Sequence, residues 1–266
     1  MQIAEWKQYP WLRHGFSTRS GGVSEVYGGK SLNLGWTKDD DPAHVAENRR
    51  LLMRAVAGTA PSEQAPPAIT LRQIHSTRTH IVTADTGPYT TPDNRALVEG
   101  DGLMTALPNT LLAIQTADCV PVMVIDPAKR VVSVFHAGWR GTAAAIVEIG
   151  VATMSKEFGS RPADLIAAVG PSIGPCCYTV GQELHTAFAE RFPYAAQLFD
   201  RDRLNLWEAN RRQLLDSGVP SNRIVVVGEC TGCTLEPSGE RKYFSHRIEH
   251  GFTGRMMSVV GIAPTN

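Results

Sequence analysis

Three residues of metal-ligand type break their local patterns: His75, Cys119 and His136. His75 closes the stretch Leu71-Arg72-Gln73-Ile74-His75, and Cys119 falls between two apolar runs in Thr116-Ala117-Asp118-Cys119-Val120-Pro121. His136 ends Val131-Val132-Ser133-Val134-Phe135-His136. Each stands where a strand is expected to give way to a loop, and strand ends hold side chains rigidly enough to build a site. Two imidazoles and a thiolate make a three-ligand zinc set with a fourth position open. Water in that position becomes a good nucleophile near neutral pH. The gaps of 44 and 17 residues are much longer than those of local metal motifs. On spacing alone, two satisfied histidines and a small buried thiol are the plainer reading.

Other residues are two-sided in the same way. Asp118 would point to the face opposite Cys119 within a strand, but at a strand end it can turn inward to orient a ligand or carry a proton. Its structural alternative is to satisfy loop amides. Asp101, between Gly100 and Gly102, reads first as a turn residue. Five glycines fall between Gly21 and Gly35, flanked by Phe16-Ser17-Thr18-Arg19-Ser20 and spanning Ser31-Leu32-Asn33-Leu34. Exposed amides beside Arg19 suit a phosphate or carboxylate, and a flexible surface loop explains the glycines equally well. No Walker or dinucleotide fingerprint is present. Arg140, in Trp139-Arg140-Gly141-Thr142, precedes an expected helix N-terminus, which attracts anions; it could instead pair with a core carboxylate. Gly170 to Tyr178 reads as a rigid loop fit to wall a pocket. Cys230-Thr231-Gly232-Cys233 is a C-x-x-C that could join Cys176 and Cys177 in a four-thiolate zinc site. Adjacent cysteines rarely chelate one tetrahedral metal without strain, which weighs against it. Asn210 and Arg247 need polar partners if buried.

The elements that must position these residues are partly legible. Asp41-Pro42 and Gly58 bracket a helix over 42–57. Ala68–Ser76 and Thr79–Thr83 fit strands, and Leu111–Thr116, Val120–Asp126 and Arg130–His136 read as buried strands, the last two joined as a hairpin. A helix is expected from Gly141 to about Phe158, with Ala145, Ile149 and Ala152 on one face. Leu165–Val169, Arg223–Gly228 and Met256–Val260 read as strands, Gln182–Phe192 and Leu206–Ser217 as helices. Strands and helices mix without strict alternation, so an α/β fold of α+β type follows, with mixed sheets and flanking helices in a single domain over 1–266. Ala60 to Ala68 is proline-rich and suits a surface loop.

The chain has 266 residues, 42% hydrophobic and 20% charged, which is globular composition. Lys+Arg and Asp+Glu are 26 each, for a formal net charge of zero. Proteins that grip nucleic acid or an anionic membrane carry a basic excess, so neither partner is expected. No apolar run approaches the ~20 residues of a membrane helix, and Met1 to Lys7 lacks the pattern of a signal peptide. Five cysteines, an odd count, suit a reduced, cytoplasmic protein.

Several stretches together resemble the YfiH-like family, also labelled laccase-domain proteins, polyphenol oxidases and peptidoglycan editing factors. They are FSTRSGGVS (16–24), SLNLG (31–35), QIHS (73–76), GDGLMT (100–105), TADCVPVMVID (116–126) and HAGWRGT (136–142). GPSIGPCCYTVG (170–181), LNLWEANRRQLLDSGV (204–219) and FSHR with GFTGR (244–255) complete the match. The resemblance implies a single α/β domain with zinc held by His75, Cys119 and His136. It also implies phosphorolysis of adenosine, inosine, guanosine and methylthioadenosine, with hydrolytic deamination of adenosine. In that setting Asp118 would carry a proton, Arg19 and Arg140 would hold phosphate against the ribose, and Asn33 and Asp101 would line the site. The partners are then a nucleoside and phosphate. The family usually ends F-S-Y-R-R-x-G, whereas this chain has Phe244-Ser245-His246-Arg247-Ile248 and lacks the second arginine. The rival label, a copper-dependent polyphenol oxidase, implies histidine-rich copper sites, commonly built from H-x-H pairs. This chain has eight histidines and no such pair, although copper would bind a lone His/Cys site tightly.

Overall fold

Asp41 and Gly58 delimit the first long helix as expected. In α1 (Pro42–Ala57) the Asp41 carboxylate accepts from the Ala43 amide at 2.8 Å, and Gly58 closes the helix at φ 69°. A cap of this kind is worth about 1 kcal/mol. The computed structural model describes residues 1–59 and 66–264. The loop expected over Ala60 to Ala68 therefore lies, as far as residue 65, outside the described residues.

Around α1 the chain forms β1 (Leu12–Phe16), β2 (Ser20–Ser24), β3 (Ala68–Ile69), β4 (Thr79–Val82), β5 (Gly102–Thr105) and β6 (Thr110–Thr116). The hairpin follows as β7 (Val120–Asp126) and β8 (Val131–Ala137), then α2 (Trp139–Ala143), α3 (Ile146–Phe158) and β9 (Ile166–Val169). The last third contains α4 (Gln182–Arg191), β10 (Phe199–Asp200), β11 (Arg203–Leu204), α5 (Leu206–Asp216), β12 (Ile224–Val226) and β13 (Met256–Ile262). Two main sheets result, with strand orders β1-β13-β6-β3 and β12-β9-β7-β8-β5-β4. Both mix parallel and antiparallel pairs, so the expected mixed α/β class holds. Among the described residues no helix is long and apolar enough to cross a membrane.

Period-2 alternation sorts the strand residues into layers. Met123 and Ile125 of β7, with Val132 and Val134 of β8, pack against Leu112 and Ile114 of β6 between the two sheets. Val122, Val124 and Phe135 face the opposite way, onto α3, α4 and α5. Leu111, Ala113 and Val259, on the outer face of the smaller sheet, are covered by Leu52, Met53 and Val56 of α1. The order is helix, sheet, sheet, helices. Each fully buried Val, Ile or Phe adds about 1.5–3 kcal/mol, so both sheets are fixed face-to-face by their alternation.

Two expectations need correction. The helix expected over Gly141 to Phe158 is two helices, because Ala145 adopts a left-handed φ of 61° between α2 and α3. The break resets the helical phase. The buried face of α3 is Ile146, Val147, Gly150, Val151 and Met154, while Ile149 is 41% exposed. Gly150 allows the close approach, since a Cβ there would lie 2.2 Å from Phe135 Cζ. The strand expected over Ala68–Ser76 also stops at Ile69. His75 consequently rides on a loop, at φ 58°.

Candidate metal centre

The register of the larger sheet assembles most of the site. β7 and β8 are antiparallel with Pro121 opposite His136, so the start of one strand meets the end of the other. β5 lies on the far side of β8, with Gly102 opposite Phe135, and the His136 amide donates to the Asp101 carbonyl at 2.7 Å. By alternation Asp101, Cys119 and His136 share the face turned toward the smaller sheet. His75 reaches them from the loop after β3. Gln73 anchors that loop by two bonds to Gln115 of β6: its Nε2 donates to the Gln115 carbonyl, and its Oε1 accepts from the Gln115 amide, both at 2.7 Å.

One ligand atom from each of His75, Cys119 and His136 lies within 4.8 Å of the others. Cys119 Sγ is 3.9 Å from His75 Nε2, and the two imidazole rings meet edge to face at 4.8 Å between centroids. His136 is buried, Cys119 half-buried and His75 exposed, so the group opens outward from a fixed base. Gly138 keeps it together. A Cβ at that position would come within 2.9 Å of His75 Cδ2 and 3.0 Å of Cys119 Sγ.

Asp101 is the brace beneath the group. Oδ1 accepts from His136 Nδ1 at 2.8 Å and from the His75 amide at 3.0 Å. Oδ2 accepts from the Ser76 amide at 2.6 Å and the Ser76 hydroxyl at 2.7 Å. The bond to Nδ1 fixes the tautomer and leaves His136 Nε2 for a ligand role. Burial opposes charge on all three acidic or basic groups here, but their mutual attraction wins. Hydrogen bonds from His136 and Ser76 bring the Asp101 carboxyl down to about 2 despite burial. Burial likewise opposes ionisation of Cys119, yet His136 and His75 lower its thiol to about 6. Burial would lower His136, and the Cys119 thiolate and Asp101 raise it instead. Two imidazoles, a thiolate formed near neutral pH and a carboxylate behind one imidazole are a donor set that fits zinc.

The trio borders a cavity of about 710 Å³. Arg72, Arg95 and Arg255 bring three guanidiniums to its wall, and Trp36, Gln115 and His246 line it as well. Arg72 is paired with Glu99 at 2.7 Å and Arg95 with Asp93 at 2.8 Å. Arg255 has no carboxylate partner among the described residues; its Nη1 donates to the carbonyls of Thr253 and Gly254. Sequence reasoning did not single out this arginine. The available signal was its place at the end of the matched GFTGR stretch.

A profile of the family described as multi-copper polyphenol oxidoreductase laccase matches residues 13–263. The chain belongs to that family. It is 36% identical to the purine nucleoside phosphorylase YlmD of Geobacillus stearothermophilus, with 94% of each chain covered. It is 38% identical to the purine nucleoside phosphorylase YlmD of Bacillus subtilis, over 93% of this chain and 87% of that one. The crystal structure of the Bacillus licheniformis protein YfiH aligns with a TM-score of 0.85 at 36% identity, covering 97% of this chain and 94% of that one. The membership expected from the TADC and HAGWRGT stretches therefore holds.

The remaining residues singled out in this family member lie elsewhere. Asp118, at φ 88°, turns away from Cys119: Oδ1 accepts from the Thr231 hydroxyl at 2.6 Å and Oδ2 from the Arg247 amide at 2.7 Å. Arg19 does not line the cavity. Its Nη1 donates to Glu249 Oε1 at 3.0 Å, its Nη2 to the Tyr27 carbonyl, and its guanidinium lies over Phe244. Asn33 is fully buried, donating to Asp40 at 2.7 Å and accepting from the Arg255 amide at 2.9 Å. Arg140 stacks on Trp139 inside the five-residue α2 rather than ahead of a long helix. Asn210 donates to Thr142 at 3.1 Å, and Arg247 Nη1 to the Thr179 carbonyl at 2.6 Å.

Asp101→Asn should weaken metal binding at the trio by about 10–100-fold, the usual cost of losing such an outer partner. The metal-free protein offers a second readout. A carboxyl depressed from 3.8 to about 2 stabilises the fold above pH ~4, and that contribution is lost as pH falls toward 2. The pH-dependent part of the gap between wild type and Asp101→Asn should be about 2 kcal/mol at pH 7 and mostly lost by pH 2. Urea unfolding at the two pH values measures it, and a constant gap would remove Asp101 from this role.

Proposed function

We propose that this chain is a zinc-dependent purine nucleoside enzyme that acts in the cytoplasm as one catalytic domain over 1–266. Zinc is held by His75, Cys119 and His136. The substrates are purine nucleosides, with phosphorolysis of adenosine, inosine, guanosine and methylthioadenosine and deamination of adenosine. The observation that carries this reading is the convergence of the three ligand atoms at the edge of a cavity whose wall bears three arginines. The names of the relatives support the phosphorolytic half.

When bound, zinc supplies a Lewis acid that activates water or polarises a substrate oxygen. The chain's own residues do the rest. Asp101 orients His136, and Gln73 fixes the loop that carries His75. Phosphorolysis joins a phosphate oxygen to C1′ of the ribose and breaks the bond to the base, so a dianion must be held beside the sugar. Arg255, the cavity arginine without a carboxylate partner, is suited to that task. Asp118 positions the Arg247 loop through its two engaged oxygens. A multicopper oxidase reading lacks comparable support. Among the described residues, the groups of three or more ligand side chains are this trio and a four-cysteine cluster, neither of which is a histidine-rich copper cluster.

The test is a product profile on adenosine with zinc-loaded protein. Adenine and ribose 1-phosphate should form only when phosphate is present, and inosine should form with or without it. If neither base release nor deamination occurs, the assignment fails.

A further inference from the structure

The second cluster of ligand side chains is made of Cys176, Cys177, Cys230 and Cys233, whose four sulfurs lie within 4.8 Å of one another. They come from two turns placed side by side by the larger sheet. β9 and β12 are parallel neighbours, and beyond their C-terminal ends Val227 donates to the Val169 carbonyl and Thr231 to the Ser172 carbonyl, both at 3.0 Å. Ser172 thus stands beside Cys230, and the adjacent-cysteine turn beside the C-x-x-C turn. In the first turn, the amides of Cys177 and Tyr178 both donate to the Gly174 carbonyl, at 2.9 and 3.0 Å. That tight turn brings both neighbouring thiols to one point with no positive φ at either cysteine. Neither cysteine therefore needs a left-handed backbone to turn its thiol inward.

We infer that these four cysteines form a second, structural zinc site. Tetrahedral zinc with bonds of about 2.3 Å to sulfur sets its thiolates about 3.8 Å apart. Cys176 and Cys233 already stand 3.5 Å apart, much farther than the ~2.05 Å of a disulfide. The Gly174 amide donates to Cys230 Sγ at 3.2 Å, a bond that favours thiolate. Arg241 donates to the Gly232 carbonyl at 2.5 Å, which holds the C-x-x-C turn in place. Four protein ligands close the coordination shell, so this zinc holds structure and leaves no position for substrate. Its role is to steady the backbone that leads into the first site: Thr231, inside the C-x-x-C, donates to Asp118, the residue before Cys119.

The test uses the full chain purified under reducing conditions and dialysed free of loose metal. Elemental analysis should find two zinc per chain in the wild type. Cys176→Ser with Cys233→Ser should retain one, and so should Cys119→Ser, from the other site. Cobalt substitution of Cys119→Ser should give the strong thiolate-to-metal charge-transfer absorption of a four-sulfur site. Two zinc per chain in the Cys176/Cys233 double variant would overturn the inference. So would a zinc-free Cys119→Ser, iron in place of zinc, or a wild-type mass two hydrogens light with a Cys176–Cys233 disulfide. A Cys119→Ser variant with no zinc at all strikes this site, whereas two zinc retained there would strike the trio instead.

Discussion

Cys119→Ala should abolish zinc binding at the His75–Cys119–His136 group and lower kcat/KM for both nucleoside reactions by about 10³ or more. The magnitude follows from the several kcal/mol of transition-state charge stabilisation that a Lewis-acidic metal supplies, at 1.36 kcal/mol per tenfold. Cys119 is the decisive position because His136 and His75 lower its thiol to about 6 against the effect of burial, toward the thiolate form that binds metal. Removing it leaves two imidazoles, one of them exposed. The experiment is best done in the Cys176→Ser, Cys233→Ser background, where the trio is the remaining cluster of three or more ligands among the described residues. Elemental analysis should then give no zinc and the activities should fall together. The melting temperature should match that of chelated protein rather than drop further. A variant that keeps stoichiometric zinc and full turnover would return the trio to two satisfied histidines and a small thiol.

The convergence of the trio is legible in residue type and in the family stretches, though not in spacing. Cys119 and His136 end runs that alternation buries, and a polar residue at the end of a buried strand has to face something. Asp101 was less legible. Its flanking glycines signal a turn, and only the pairing of β5 with β8 shows that it lies against His136. His75 stands out by type, but its support does not, because the β-branched stretch after Ala68 gives no sign that Gln73 replaces strand pairing with side-chain bonds to Gln115. The break at Ala145 leaves no sign in the sequence for the opposite reason: alanine is a strong helix former, yet it adopts a left-handed φ of 61° there. Arg19 and Asn33 lie in family stretches, yet neither lines the cavity. Arg19 grips Glu249, which in turn accepts from the Ser245 amide at 2.9 Å and the Thr253 hydroxyl at 2.6 Å. Long-range contacts of this kind, 230 residues apart in the chain, leave no local pattern to read.

Arg255→Ala should lower inosine phosphorolysis by about 10²–10³ while leaving adenosine deamination much less affected, since losing one charged partner of an oxyanion typically costs that much. Phosphorolysis requires a dianion held at the sugar. Deamination requires water and a proton carrier, and makes no demand on a phosphate clamp. Of the three cavity arginines, Arg72 and Arg95 are tied to Glu99 and Asp93, whereas Arg255 carries an uncompensated charge among the described residues. Its backbone is fixed by Asn33, and Gly35 leaves room for its stem: a Cβ there would meet Arg255 Cγ at 2.6 Å. Arg19→Ala should behave differently. It loosens the Glu249-centred loop that carries His246 and leads to Arg255, so both activities should fall by similar factors and thermal stability with them. Steady-state rates for the two reactions on the same preparations of both variants separate these outcomes. Equal losses at Arg255 would mean that it positions the nucleoside or the fold, and a selective loss at Arg19 would move the phosphate to the glycine-rich loop, outside the cavity beside the trio.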